Sequence, residues 1–188
     1  MQPTSTGLRK YLARAVLVLT ALAMALLVWA ALRPAAFRVE RTVVIQASPA
    51  RLHPMVSSMR EFNTWNPYLR KDPQAQVRYR GPNSGIGSAY DHEGNPGVGR
   101  GSVEITDSEP YGRVEVQVDA VLPVKTRTLW RFILTAQGAV ATEVRWEMRG
   151  SHNFMARLVG IFSNTDAVVG RDLEAGLLNL KTRAERPS

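Results

Sequence analysis

The chain has 188 residues, 45% of them hydrophobic, which is enough apolar material for one domain with a sizeable core and a short appendage. Its formal net charge is +8, yet beyond residue 36 the basic side chains are interleaved with acidic ones, as in RVERTV and RVEVQVD. Nucleic-acid binding requires clustered lysine and arginine facing phosphates, so this pattern argues against a nucleic-acid partner. The lack of cysteine fits either redox compartment.

An uncharged run of 18 residues, Ala15 to Leu32, lies near the N-terminus. As a helix it reaches about 27 Å, close to the hydrocarbon thickness of about 30 Å. Basic residues precede the run, as in a secretory signal, but its length and the bulky Trp29 and Arg33 around Ala30-Ala31 favour an uncleaved anchor. The predicted order is a basic tail over 1–14, a transmembrane anchor over 15–33, a linker over 34–36 and a domain over 37–186.

The anchor predicts a single-pass protein of the cytoplasmic (inner) membrane. Basic residues flank the run on both sides, so the excess of positive charge discriminates weakly between the two orientations. The signal-like order of the segments favours a cytoplasmic N-terminus. We therefore expect the domain on the outer, periplasmic side, tethered beside anionic lipid headgroups that weakly attract its positive charge.

Residues 37–46, FRVERTVVIQ, have the β-branched content of a strand, and Ser48-Pro49 is a good helix start, with serine at the N-cap and proline at the first helical position. Two short helices should follow, over 49–57 and 59–64. The chain then predicts six consecutive strands, over 74–80, 88–93, 99–106, 113–121, 125–135 and 139–149. Tight turns between them favour an antiparallel meander.

The alternation along these strands predicts one apolar, aromatic-rich sheet face and one charged face. In RVEVQVD and EVRWEMR, valine, tryptophan and methionine alternate with charged or polar residues. Seven apolar residues from Met155 to Leu180, at helical spacings, predict a long amphipathic helix over 153–185 that covers the apolar face. Asp166 interrupts this stripe, so Asp166 and Asn164 indicate either a bend or polar lining of a cavity.

No strong catalytic or metal-binding signature is present in the sequence. The glycine-rich stretches GPNSGIG and GNPGVGRG lie between strands and predict hairpin turns, not a phosphate-binding loop. His53, His92 and His152 lack metal-ligand spacing, so we expect neither a metal nor a cofactor. Tyr90 and His92 share one strand face, and this pair is the best catalytic candidate if that face lines a cavity; the alternative is a plain structural role.

The order of one strand, two short helices, six strands and a long helix resembles the helix-grip fold. REFNTWNPYL, GIGSAYDHEGNPGVGRGSVEI and ATEVRWEMRG resemble the polyketide cyclase/dehydrase-like branch of the SRPBCC (START-like) superfamily, over about residues 37–185. The resemblance implies an α+β domain in which an antiparallel seven-stranded curved sheet wraps a long C-terminal helix, here preceded by one transmembrane helix. It also implies a hydrophobic cavity between sheet and helix. His92 stands where such relatives frequently carry tryptophan.

Relatives of this kind bind lipids, sterols, polyketides or other apolar molecules, and some catalyse cyclisation. The leading hypothesis is therefore a membrane-anchored binding protein for a hydrophobic small molecule or lipid. One alternative is a polyketide cyclase/aromatase-like enzyme that uses Tyr90 or His92 in the same cavity. Another is an envelope accessory domain that docks an unknown protein partner through its charged sheet face.

The expected ligand-binding residues face the cavity from the second short helix, the sheet and the C-terminal helix: Trp65, Tyr68, Tyr90, His92, Val116, Val118, Trp130, Phe132, Trp146, Met148 and Phe162. Within REFNTWNPYL, two interpretations remain open. Phe62 and Trp65 plug the end of the sheet, or Trp65 and Tyr68 line a ligand entrance.

Overall fold

The structure of the protein, a computed structural model, describes residues 5–32, 34–151 and 164–186. The first helix, α1, covers Ser5–Leu32 and so includes most of the predicted basic tail as well as the apolar run. Its part from Lys10 to Leu32 has a mean hydropathy of 2.6, which is long and apolar enough to cross a membrane. A signal sequence shares these properties of length and composition.

The described residues 36–151 form seven strands, two short α-helices and a 3₁₀ helix at Leu69–Lys71, and residues 164–186 contain a further α-helix. The elements are β1 (Ala36–Ile45), α2 (Pro49–Ser57), α3 (Met59–Phe62), β2 (Gln76–Arg80), β3 (Ala89–Glu93), β4 (Arg100–Ser108), β5 (Arg113–Leu122), β6 (Thr126–Gln137), β7 (Ala141–Ser151) and α4 (Thr165–Ala184). The strands pair antiparallel in the order β1-β7-β6-β5-β4-β3-β2. This topology confirms the predicted meander and helix-grip fold.

Capping residues set the bounds of the short helices. Ser48 accepts a hydrogen bond from the backbone N–H of Arg51, at 3.4 Å, and starts α2 as predicted. Ser58 has extended backbone angles; it ends α2 and caps α3. Helix α3 stops at Phe62, two residues short of the predicted end, and residues 63–65 form turns.

The inner face of the sheet is apolar, as the alternation predicts, and the outer face carries most of the charges. Val144, Trp146 and Met148 of β7 are buried on the inner face. Glu147, on the outer face, differs from its neighbours because only 2% of it is exposed. It pairs with Arg38 of β1 at 2.7 Å and with Arg149. A buried, paired Glu147 contributes little to any docking surface on this face.

Helix α4 begins at Asn164, whose side chain accepts hydrogen bonds from the backbone N–H groups of Asp166 and Ala167. Asn164 has extended backbone angles, with φ −88° and ψ 105°, so it is not itself helical. The predicted helix over 153–185 is therefore not continuous through this residue. The stretch 152–163, which includes Met155, Leu158 and Phe162, lies outside the described residues. Within α4, Leu173, Leu177 and Leu180 are buried, as the apolar stripe predicts.

Arg41 explains why an acidic residue interrupts the apolar stripe of α4. It lies opposite Trp146 in the β1–β7 register and bonds Asp166 at 2.9 Å and Glu174 at 2.6 Å. Gly170 makes room for this contact, since a β-carbon there would lie 2.0 Å from the Arg41 guanidinium. The hydrogen bond from Arg41 also holds the pKa of Asp166 below its usual range. Asp166 therefore fastens α4 to the sheet edge.

Candidate ligand-binding cavity

A cavity of about 240 Å³ lies between the inner face of the sheet and the N-terminal half of α4. Strands β3 to β7 form its floor, and Val169 and Asp172 of α4 border it from the other side. The lining includes six of the residues expected to bind ligand: Tyr68, Tyr90, His92, Val118, Trp130 and Met148. His92 and Val118 are only half-buried, so the cavity is open on the side of β3 and β5.

Four of the other expected residues lie in packed core beside the cavity: Trp65, Val116, Phe132 and Trp146, each at most 1% exposed. The rings of Phe132 and Trp146 are 4.9 Å apart, and those of Trp65 and Trp146 are 5.7 Å apart. Helix α4 approaches this cluster closely, because a β-carbon at Gly176 would lie 2.5 Å from a ring carbon of Trp146. Phe162 is outside the described residues.

The stretch REFNTWNPYL joins the packed core to the cavity. Phe62 and Trp65 are fully buried, with ring centroids 4.8 Å apart in an edge-to-face arrangement. The indole N–H of Trp65 donates to the backbone carbonyl of Met55 at 2.9 Å, which fixes the ring. Trp65 therefore belongs to the packed core, where it contacts Phe132 and Trp146. Tyr68, three residues later, lines the cavity.

Asn66, which is fully buried, organises the turn between these two aromatics. Its amide group donates to Asn63 at 3.1 Å and to the hydroxyl of Tyr90 at 3.2 Å. Its carbonyl oxygen accepts from the backbone N–H of Tyr68 at 2.9 Å. One buried side chain thus positions both Tyr68 and Tyr90, since a buried amide is stable only when its donors and acceptor are satisfied.

Tyr68 and Trp130 form a flat aromatic wall at the cavity, with ring centroids 5.3 Å apart and planes inclined by 26°. Lys71 stands 5.1 Å above the Tyr68 ring and pairs with Asp172 at 2.8 Å. Burial, with a smaller contribution from Asp172, raises the pKa of Tyr68 well above its usual range. The Tyr68 hydroxyl is therefore protonated at neutral pH.

Three of the residues that border the cavity each have a buried polar atom without a hydrogen-bond partner among the described residues: the Tyr68 hydroxyl, His92 Nδ1 and Trp130 Nε1. Each of these atoms has almost no accessible surface, so it lies against packed atoms and not against the open space of the cavity. Native proteins seldom leave buried polar atoms unpaired. Burial lowers the pKa of His92, an effect that the nearby Asp91 partly opposes. His92 is therefore neutral at pH 7 and presents one N–H and one bare ring nitrogen.

The sequence reasoning missed several residues of this region. Val103, Ala120 and Thr128 also line the cavity, and each shares the inner face with a residue that was expected there, so the alternation contained their signal. Asn66 and Asp172 had no comparable signal, because a polar residue in a turn or helix reveals its partners only after folding. Among the described residues, no group of three or more histidine, aspartate or glutamate side chains is placed to hold a metal ion.

The chain matches one protein family and resembles solved structures of the same fold. The family model described as polyketide cyclase / dehydrase and lipid transport matches residues 36–185. No curated protein matches the chain. Three similar solved structures are a truncated norcoclaurine synthase from Thalictrum flavum (13% identity, TM-score 0.60, 84% of this chain and 98% of that one), the same enzyme with dopamine and hydroxybenzaldehyde (10%, 0.57, 82% and 91%) and the major latex-like protein 151 of Panax ginseng (9%, 0.56, 80% and 99%). At these identities the likeness confirms the fold alone.

Replacing Asn66 tests its role as the residue that positions Tyr90. Asn66→Ala should lower the free energy of unfolding by about 1–3 kcal/mol, because it leaves buried partners unpaired. In a double-mutant cycle with Tyr90→Phe, we expect a coupling energy of about 0.5–1.5 kcal/mol from urea unfolding of the full chain in detergent. Asn83→Ala, at an exposed turn, is the control and should cost less than about 0.5 kcal/mol. Additive effects of the Asn66 and Tyr90 changes would contradict the assignment.

The lowered pKa of His92 predicts how stability depends on pH. Between its folded-state pKa and the ordinary value of about 6.5, the unfolded chain binds more protons than the folded one. Stability should therefore be complete above about pH 6.5 and fall as the pH drops below it. His92→Gln should flatten the fall in urea midpoint between pH 7 and pH 5. His53, whose pKa burial also lowers, should contribute separately in His53→Gln. An unchanged pH profile in His92→Gln would show that His92 is not desolvated.

Proposed function

The chain belongs to the polyketide cyclase/dehydrase and lipid transport family, and on that premise we propose that it is a membrane-anchored protein that binds a hydrophobic small molecule or lipid. The observation that carries the proposal is the cavity of about 240 Å³ between sheet and α4, bordered mainly by apolar and aromatic side chains. Pockets that enclose small molecules are typically of this kind, with a few polar groups that orient the ligand.

The energetics of burial support this function. Val103, Val118 and Met148 provide apolar floor, and Tyr68 and Trp130 provide a flat aromatic side. A ligand body that buries about 200 Å² of apolar surface gains about 5 kcal/mol at about 25 cal/mol per Å², before the cost of its immobilisation. Such a gain supports useful affinity with few polar contacts.

Membrane attachment forms part of the proposal and rests on α1. The part from Lys10 to Leu32 has the length and hydropathy of a membrane span, and its bulky C-terminal end favours retention over cleavage. With a cytoplasmic N-terminus, the domain lies on the outer side of the membrane, beside a reservoir of apolar molecules. Digestion of the domain by protease added to spheroplasts supports this orientation, and protection of the domain contradicts it.

Filling the cavity tests the binding function. We expect the full chain, purified from membranes in detergent, to carry a molecule that organic extraction and mass spectrometry identify at near-stoichiometric amount. Val118→Trp should abolish this cargo because the larger ring occupies the cavity. Val121→Trp, on the same strand but 45% exposed and outside the cavity lining, is the matched control and should retain it.

The cargo measurement tests binding in the cavity, and the mass of the purified chain tests the membrane anchor. An empty wild-type chain, or equal cargo in all three proteins, contradicts binding in this cavity. The intact mass of the same preparation reports the anchor, because a cleaved signal shortens the chain and an uncleaved anchor leaves all 188 residues.

A cyclase-like enzyme is the second candidate, and His92 is the observation that favours it. A neutral imidazole among the residues that border the cavity is suited to remove a proton from a carbon acid beside a carbonyl. The resulting enolate attacks a second carbonyl of the same molecule, and His92 returns the proton to the new alkoxide. Tyr90 is less available, because its hydroxyl is already engaged by Asn66.

Conversion of the extracted cargo tests the enzyme. If His92 is the base, incubation with the wild-type chain changes the cargo at a rate that falls by about 10²-fold or more in His92→Gln, the range that general-base catalysis typically contributes. Cargo binding itself should persist in His92→Gln, which distinguishes loss of chemistry from loss of the site. A conversion rate that is equal in the two proteins, or absent in both, contradicts this candidate.

A further inference from the structure

The strand register places the start of the domain at the same end of the sheet as the hairpin between β5 and β6. Ala36, the first residue of β1, pairs with Ser151 at the end of β7. The adjacent Gly150 pairs with Thr128, near the start of β6. The tip of the hairpin, defined as residues 121–125, therefore lies at the end of the sheet where the chain enters the domain.

The hairpin tip, with the sequence VLPVK, exposes three apolar side chains within four residues. Val121, Leu122 and Val124 are 45%, 48% and 49% exposed. For comparison, Val140 in the turn between β6 and β7, at the opposite end of the sheet, is 69% exposed but is the one large apolar residue of its turn. Single exposed apolar residues are normal on a protein surface, whereas a group of them marks an interaction surface.

The loop between β3 and β4 holds the hairpin tip in place. A β-carbon at Gly99 would lie 2.1 Å from the carbonyl oxygen of Leu122 and 3.2 Å from the Pro123 ring, so this close approach requires glycine. Arg100, the next residue, pairs with Leu122 across the strands. The apolar side chains are thus presented by a backbone that is already ordered, so little conformational entropy is lost when they bind.

Basic side chains flank the apolar residues of the hairpin tip. Lys125 is exposed and forms no salt bridge with any residue that the structure describes. Arg127, whose side chain is 72% exposed, pairs with Asp119 at 2.5 Å, and Arg100 lies opposite Glu93 in the β3–β4 register. An apolar tip with an unpaired lysine fits the surface of a bilayer that contains anionic lipids, because the apolar residues enter the acyl boundary while the ammonium group stays among the headgroups.

The short connection to α1 keeps this end of the sheet close to a membrane. Three residues, 33–35, separate α1 from β1. Where α1 spans a bilayer, the start of β1 therefore stays within about 15 Å of the end of the span, because an extended chain covers at most about 3.6 Å per residue. Tethering at this range raises the effective concentration of the membrane surface to the millimolar range, so that even a weak contact is populated.

We propose that the β5–β6 hairpin tip docks on the membrane surface. Val121, Leu122 and Val124 enter the boundary between headgroups and acyl chains, and Lys125 contacts anionic headgroups. The hairpin tip and α1 then hold the domain at two points, so that it takes one orientation on the membrane instead of turning freely on its linker. This inference rests on the membrane attachment in the proposed function and is independent of what the cavity binds.

Site-specific labelling tests this contact, because the chain contains no cysteine. Val124→Cys at the hairpin tip and Val140→Cys at the opposite end of the sheet each receive the same fluorophore. The full chains are placed in nanodiscs of phosphatidylcholine with about 30% phosphatidylglycerol, an anionic lipid. Lipids that carry a nitroxide near the headgroup end of one acyl chain quench only a label that has entered the bilayer.

We expect the nitroxide lipid to quench the Val124→Cys label by about half or more, since interfacial segments lie about 5–10 Å into the headgroup and acyl boundary. The Val140→Cys label should not be quenched. Equal quenching of the two labels, or quenching of neither, overturns the proposal.

Two further changes in the Val124→Cys chain separate the apolar contribution from the electrostatic one. Leu122→Asp places a charge on the tip at a side chain that is 48% exposed, outside the buried core, and should abolish the quenching. Lys125→Gln should lower the docking equilibrium constant about two- to fivefold in these nanodiscs and leave it unchanged in nanodiscs of phosphatidylcholine alone. Quenching that persists unchanged in Leu122→Asp contradicts insertion of the tip.

Failure of docking and failure of the membrane attachment give different results. A chain that stays in the nanodisc, but whose Val124→Cys label is quenched by aqueous iodide and not by nitroxide lipid, overturns docking and leaves the attachment intact. A label shielded from both quenchers is covered by protein, which also overturns docking. A chain that does not enter nanodiscs, or whose mass shows that α1 has been cleaved, overturns the membrane attachment in the proposed function and this inference with it.

Discussion

The direct packing of α4 on Trp146 determines how the space between sheet and helix is divided. Gly176 allows the helix backbone to approach the indole so closely that no β-carbon fits between them. Trp146 is itself surrounded by Trp65, Phe132 and Trp130, so this half of the inner face is solid. Side chains in such a core interdigitate without voids. Farther along, the sheet presents smaller residues beneath the N-terminal half of α4, and the cavity remains.

Polar interactions hold the two borders of this cavity. On the sheet edge, Arg41 fastens the start of α4 through Asp166 and Glu174. Inside, Asn66 connects the turn after α3 to Tyr90 on β3 and to the backbone of Tyr68. Buried hydrogen bonds of this kind are costly to leave unmade, so they specify one arrangement of the turn and hold the aromatic wall in place.

The cavity combines an apolar floor with a few polar atoms, and this combination bears on function. His92, whose pKa is lowered by burial, is a neutral imidazole among the residues that border this cavity. The proposed binding and the proposed proton transfer would therefore take place in the same cavity.

The local pattern of the sequence was sufficient to predict the strands, the two short helices and the buried sheet face, because alternation and capping act between near neighbours. It also identified Tyr68, Tyr90, His92, Val118, Trp130 and Met148 as inner-face residues, since each lies on the apolar face of a strand or beside Pro67. It did not distinguish them from Val116, Phe132 and Trp146, which lie in solid core. That distinction depends on where α4 touches the sheet, and Gly176, Gly170 and Arg41 set this contact between residues far apart in the chain. The face of the sheet on which a side chain lies follows from its position along the strand, which the sequence shows. A cavity forms only where the helix and the sheet are not in contact, and this depends on the tertiary structure.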